Sequence, residues 1–315
     1  MERRKFLKLS TAMVATFAIT PARSQPVAKE VRFGYQKTGV PVIARQQGTI
    51  EKRLAGSGTS VRWVEFTSGP PMMEAISNGS VDFGAVGDSP PIFAQAANAN
   101  IVYAAASPIS NGQGILVPQN SSIKTIADLK GKRVGFTKGS SAHNVVVLTL
   151  AKAGLTYNDI TPVYLTPPDA GPAFANGSID AWAVWDPYFA IGEKKQNARI
   201  LINAYEVGKT NAFFIANRDF ANQQPAVLRE VIAGLSTAAT WAENNREAVA
   251  KSLHEVTGVP LDIQTLAASR ASFAIGSLSE DVIETQQGVA DSFYKLGLIP
   301  KPIAVRDIVW KTPQT

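Results

Sequence analysis

Asn78-Gly79-Ser80-Val81-Asp82-Phe83-Gly84-Ala85-Val86-Gly87-Asp88 runs into Ser89-Pro90, and Asn176-Gly177-Ser178-Ile179-Asp180-Ala181-Trp182-Ala183-Val184-Trp185-Asp186 runs into Pro187. Seven of the eleven positions are identical, and the second copy begins 98 residues after the first. A repeat of that period in a chain of 315 residues points to two lobes of similar architecture, each of roughly 100 residues. The local chemistry agrees in both copies. Asn-Gly closes a helix, because these residues accept the left-handed conformation that a helix end requires. A short apolar strand follows, at 81–86 and at 179–185. Asp with Ser or Pro then supplies a helix cap and a first helical residue. Each copy reads as helix, strand, sharp turn, helix.

Outward from the repeat, apolar runs of strand length alternate with helical patterns. Residues 31–35, 61–66 and 101–105 add strands to the first half, and 114–117, 133–136, 160–165 and 199–202 add strands to the second. Helical segments lie between them at 43–54, 70–77, 92–97 and 143–153. The alternation predicts an α/β fold with mainly parallel sheets flanked by helices. Such sheets take ligands at the carboxyl ends of their strands. The repeat places Asp88 and Asp186 at that edge in both lobes, so the two edges are expected to face each other across one cleft. After about residue 222 the pattern turns helical. Pro225 opens a stretch with Val227, Leu228, Val231, Ile232 and Leu235 on one side, and a further helix runs from near Ser279 to Lys295. This tail is expected to pack on lobe one.

Residues 1–24 read as an export leader. Arg3, Arg4, Lys5 and Lys8 precede a mildly apolar run at 11–20, with small residues at Ala22 and Ser24. Arg3-Arg4-Lys5-Phe6-Leu7-Lys8 also fits the twin-arginine pattern. Arg23 and the weakness of the apolar run favour that route over its rival, Sec. Taking the leader's five bases and one acid from the chain's 31 bases and 25 acids leaves a net charge of +2. The basic balance therefore belongs largely to the leader and gives no support for nucleic-acid binding. The sequence has no cysteine, which excludes disulfides, a thiolate metal site, a cysteine nucleophile and a lipid-modified cysteine. Two histidines are too few to argue for a metal site. The expectation is a monomer that diffuses freely in the periplasm, without cofactor or metal.

Three strand-to-helix loops share one design: Phe66-Thr67-Ser68-Gly69-Pro70, Val86-Gly87-Asp88-Ser89-Pro90, and Phe136-Thr137-Lys138-Gly139-Ser140-Ser141-Ala142-His143. Each ends a strand, passes through small or hydroxyl residues and opens a helix. A helix start offers free N–H groups and a positive dipole end. Glycine admits a close approach, and a hydroxyl adds a donor. Together they describe an anion site that needs no arginine. The alternative is that Ser68, Ser89 and Ser140 only cap their own helices. No GxGxxG or P-loop spacing occurs, so a dinucleotide site is unsupported.

These loops, with Gly34-Tyr35-Gln36-Lys37, Ala127-Asp128-Leu129-Lys130-Gly131-Lys132 and Ala181-Trp182-Ala183-Val184-Trp185-Asp186-Pro187, resemble the aliphatic sulfonate-binding proteins of ABC importers, within the wider nitrate, sulfonate and taurine-binding group. The resemblance runs from Val31 to about Asp219. It implies the type II periplasmic-binding-protein fold, with crossings near 110–114 and 213–218. Lobe one would then be 25–112 with 217–315, and lobe two 113–216. It further implies a cleft lined by Gln36, Ser68, Gly87, Asp88, Ser89, Ser140, Ser141, Trp185 and Asp186, holding an alkanesulfonate for delivery to a permease in sulfur acquisition. Gly69, His143 and Asn211 are added as candidate contacts. One departure is Thr210-Asn211-Ala212-Phe213-Phe214, where relatives carry a more polar stretch.

Several positions keep two readings. His143 either touches the ligand or holds a neighbouring loop, and it forms no triad with Ser141. Trp185 either packs a ligand's apolar tail or belongs to a core. Asp88 would repel a sulfonate, so it caps its helix, bonds other protein groups, or meets an ammonium on an aminosulfonate such as taurine. Nitrate or a thiamine-precursor pyrimidine are alternative cargoes on the same clamp. A secreted hydrolase is the weakest reading, because no nucleophile, base and orienting group can be assembled.

Overall fold

A computed structural model describes residues 27–108 and 110–311. The expected leader lies outside the described residues. Ten strands form: β1 Glu30–Tyr35, β2 Ser60–Glu65, β3 Phe83–Val86, β4 Ile101–Pro108, β5 Gln113–Pro118, β6 Arg133–Phe136, β7 Thr161–Tyr164, β8 Ala181–Trp185, β9 Ala198–Asn203 and β10 Asn211–Asn217. They build two five-stranded sheets, ordered β2-β1-β3-β10-β4 and β7-β6-β8-β5-β9. The repeat supplies the central strand of each sheet.

The two copies match down to single hydrogen bonds. Asn78 and Asn176 each accept from the N–H two residues on, at 2.9 Å in both copies. Gly79 and Gly177 have φ of 75° and 74°. The inner aspartate ties its lobe's first strand. Asp82 takes the Arg32 N–H at 2.7 Å and its Nε at 2.9 Å, and Asp180 takes the Arg133 N–H at 2.8 Å and its Nε at 3.1 Å.

Both sheets are mixed. β10 runs antiparallel to β3 and β4, and β5 runs antiparallel to β8 and β9. In each sheet one strand of the five is inverted, so the mainly parallel expectation holds for strand direction but misses the inserted strand. The reason is geometric. The parallel strands end at the cleft. A chain crossing from the other lobe enters at that same edge and must run away from it, with no crossover helix to turn it round.

The first crossing joins β4, which ends at Pro108, to β5, which begins at Gln113. The second spans 208–210, between the helix Ala204–Val207 and β10. That corrects the expected return at 213–218 and moves the end of the second sheet's segment from 216 to about 210. Thr210-Asn211 reads as loop, but Phe213 and Phe214 are buried on opposite faces of the first sheet, in two different cores. A strand covered on both faces has no polar alternation to betray it.

The helical tail packs on lobe one. Leu228, Val231, Leu235 and Ala238 share a core with Val31, Phe33, Ile43 and Ile50. Gly234 permits the closest approach, since a Cβ there would stand 2.9 Å from the Ile50 Cα. The tail also reaches lobe two, where Lys195 and Asp262 pair at 3.2 Å. Among the described residues no helix is long and apolar enough to cross a membrane.

Candidate functional site

Between the lobes lies a chamber of about 170 Å³. A water needs roughly 10–15 Å³ on that measure, so a small organic molecule fits. Its walls come from the ends of β1, β3, β4 and β8, the beginnings of β5 and β10, and four helix starts. Gln36, Thr38, Gly39, Gly69, Gly87, Ser107, Ser110, Gln113, Ser140, Ser141, Asn211 and Ser272 supply polar or backbone groups. Val40, Pro41, Val86, Pro90, Trp185, Phe213 and Phe214 supply apolar surface. Among the described residues that line it, none carries an ionisable side chain.

Seven expected residues line this chamber: Gln36, Gly69, Gly87, Ser140, Ser141, Trp185 and Asn211. Ser68, Asp88, Ser89, His143 and Asp186 do not. Trp185 separates the chamber from a smaller cavity that also includes Gln36, Lys37, Glu65, Tyr188 and Asp186. Gly87 shows why the repeat departs here from its second copy. A Cβ at Gly87 would stand 2.7 Å from the Ser141 Cβ across the cleft, so only glycine lets the walls meet.

Asp88 is fully buried. Its carboxyl accepts from the Ser89 hydroxyl at 2.8 Å and, across the cleft, from the Asn144 amide at 2.7 Å. Thr210, in the second crossing, also donates to it. Burial pushes the Asp88 carboxyl up to about 6, against the pull of these hydrogen bonds. Ser89 spends its proton on Asp88, so neither side chain is available to a ligand.

Asp186 is 5% exposed and faces the tail of lobe one. It accepts from Arg270 Nε at 2.8 Å and Nη2 at 2.9 Å, and from the Ala190 N–H at 3.0 Å. The same guanidinium pairs with Glu193 at 2.8 Å and lies 4.7 Å from the centre of the Phe189 ring.

His143 holds a loop. Its Nδ1 accepts from the Gly139 N–H at 3.2 Å, which leaves the proton on Nε2, 3.0 Å from the Tyr157 hydroxyl. Phe93, Phe136 and Phe293 surround the ring. Burial, and then the Lys138 cation, bring its pKa down to about 4, so the ring is neutral near pH 7.

The helix starts are unequal donors. Gly69–Ser77 opens Gly69-Pro70-Pro71, and Ser89–Ala96 opens Ser89-Pro90-Pro91. Proline has no N–H, so each lobe-one helix loses two of its early donors. Ser141–Lys152 opens Ser141-Ala142-His143 and keeps them. The Ser140 hydroxyl donates to the Thr137 carbonyl at 2.7 Å. A fourth helix start, Val40–Gln47 after Gly39, also reaches the chamber. The sequence pattern missed it because the segment expected as one helix at 43–54 is broken at Gly48, with φ of 62°.

Residues 55–249 match the NMT1/THI5-like family model. The alkanesulfonate-binding protein SsuA of Xanthomonas axonopodis pv. citri, solved bound to MOPS, is 41% identical, with a TM-score of 0.86 over 90% of this chain and 99% of that one. The periplasmic aliphatic sulphonate binding protein SsuA of Escherichia coli is 38% identical, with a TM-score of 0.80 over 91% and 94%. The taurine-binding periplasmic protein of Escherichia coli K12 is 28% identical over 69% of this chain and 67% of its own length.

Proposed function

The chain belongs to the NMT1/THI5-like family, and from that premise we propose that it captures an aliphatic sulfonate between its lobes and delivers it to the permease of an ABC importer. The observation that carries this reading is the chamber itself, a pocket of neutral donors beside apolar walls with no ionisable side chain among its described residues. A sulfonate stays ionised across the physiological range and presents three acceptors and no proton. It needs donors that do not titrate, and a place for its tail. The helix start at Ser141, the Ser141 hydroxyl and the backbone at Gly69 face the head group, and Trp185 and Phe213 face the tail. Hydrogen bonds to a charged group contribute about 1.5–3 kcal/mol each. A few of them, less the cost of association, reach the roughly −8 kcal/mol of a micromolar complex.

The same features argue against catalysis, since among its described residues the chamber offers no acid, base or activated nucleophile to transfer a proton. They also disfavour an aminosulfonate. Asp88 is the carboxylate that would meet an ammonium, and it is buried on Asn144 and Ser89 instead. Periplasmic residence after twin-arginine export, without a lipid anchor, and action as a monomer complete the proposal; the relatives' periplasmic character and the leader's sequence support the first. Thermal unfolding with ethanesulfonate, taurine, nitrate and sulfate tests the cargo. A ligand at 100 times its Kd adds about 2.7 kcal/mol of stability. Ethanesulfonate should give the largest shift, and a shift with nitrate alone would contradict the choice.

A further inference from the structure

We propose that Gln113 is a ligand-contacting residue that donates to the anionic head group. Gln113 opens β5, directly after the first crossing, and sits opposite Trp185 in the β5–β8 ladder. It lines the chamber and is only 4% exposed. Its Nε2 is buried and has no hydrogen-bond partner among the described residues. Buried polar groups in folded proteins are nearly always paired, and an unpaired donor is destabilising. An orphan of this kind at the wall of a cavity marks a place where an acceptor belongs.

The rest of the chamber strengthens the assignment. Pro70-Pro71 and Pro90-Pro91 strip donors from lobe one's helix starts, and Ser140 already donates to Thr137. Gln113 therefore supplies N–H groups that the neighbouring loops lack. A primary amide carries two donors and one acceptor, and half a turn about its last torsion exchanges them. It can thus face an anion without bringing a charge, in keeping with walls whose described residues hold no ionisable group. This assignment rests on the reading that the chamber takes a sulfonate.

The test compares wild type, Gln113→Leu and Gln113→Glu by isothermal titration with ethanesulfonate at pH 7.5, alongside thermal unfolding without ligand. Leucine keeps the volume and removes the donors, so affinity should fall about tenfold while the unliganded Tm holds or rises. Glutamate turns a donor into a like charge, and affinity should fall by roughly a hundredfold or more. Gln113→Leu within twofold of wild type overturns the assignment. So does a loss of binding that comes with a Tm several degrees lower, because Gln113 would then be scaffold. If wild type answers nitrate and no sulfonate, the cargo reading fails by itself. The variants are then titrated with nitrate, where the same twofold criterion decides the role of Gln113.

Discussion

Asp88 and Asp186 end the two copies of one repeat, and each is fastened to the opposite lobe. Asp88, in lobe one, takes the amide of Asn144 from lobe two at 2.7 Å. Asp186, in lobe two, takes the guanidinium of Arg270 from the tail of lobe one at 2.8 and 2.9 Å. The position is duplicated and the chemistry is not. Asp186 has a cation, two well-directed hydrogen bonds and Glu193 as a second acid. Asp88 has only neutral donors, and burial lifts its carboxyl toward neutrality. The helix starts differ in the same way, with prolines blocking donors in lobe one and an open turn at Ser141 in lobe two. A repeated scaffold thus fixes where a strand ends, while its surroundings decide whether the residue there is an ion, an acid or a donor.

The ionic fastening should be the harder one to remove. Arg270→Met keeps much of the volume and leaves the buried Asp186 and the partly buried Glu193 without their cation. Breaking such a pair from one side costs about 3–5 kcal/mol. Urea unfolding should record a loss of that order, and a loss below about 1 kcal/mol would mean that the pair is solvated in solution.

The neutral fastening should show itself through pH. The folded value of Asp88 lies above the ordinary carboxylate value, so its protonated form favours the fold. Its contribution is complete below about pH 4 and is lost as the pH rises through about 6, a change of about 3 kcal/mol. Asp88→Asn removes that change, and the new amide can donate to the buried, unpartnered Oδ1 of Asn144 once the Asn144 amide turns. The variant should match wild type near pH 4 and exceed it in stability by pH 7. Parallel stability curves would show that Asp88 titrates normally.

Two adjacent serines separate donor from scaffold. Ser141→Ala should weaken sulfonate binding by about 1.5–3 kcal/mol, because its hydroxyl lines the chamber and makes no hydrogen bond to another described residue. Ser140→Ala should leave affinity nearly unchanged and cost about 1 kcal/mol of stability, because its proton already belongs to Thr137. Isothermal titration paired with unfolding distinguishes them, and equal losses of affinity would contradict the assignment.

Much of this architecture was legible in the residues. The repeat points to the lobes, the loop chemistry to Gly69, Gly87, Ser140 and Ser141, and the family resemblance to Gln36, Trp185 and Asn211, all of which line the chamber. The resemblance implies cleft positions for Ser68, Asp88, Ser89 and Asp186 too, and the helix start at Ser141 makes His143 a candidate, yet none of the five lines the chamber. For the two aspartates the deciding partners are distant in the chain: Asn144 lies 56 residues from Asp88, and Arg270 lies 84 from Asp186. Gln113 gave no local signal, since its meaning comes from an unpaired amide that only folding creates. Pro70-Pro71 and Pro90-Pro91 were visible throughout. Counting their missing N–H groups would have shown from sequence that lobe one donates less.

Uncharged donors hold the sulfonate, and the repeat's aspartates stay out of the chamber. Isothermal titration of the wild-type protein with ethanesulfonate and taurine at pH 7 and pH 9 measures this directly. Ethanesulfonate should bind with a Kd on the order of micromolar that changes little with pH. Taurine should bind at least about tenfold more weakly at pH 7, where its ammonium finds no carboxylate, and the gap should narrow at pH 9 as the ammonium loses its proton. Taurine binding more tightly than ethanesulfonate at pH 7 would bring an aspartate into the site and contradict the account.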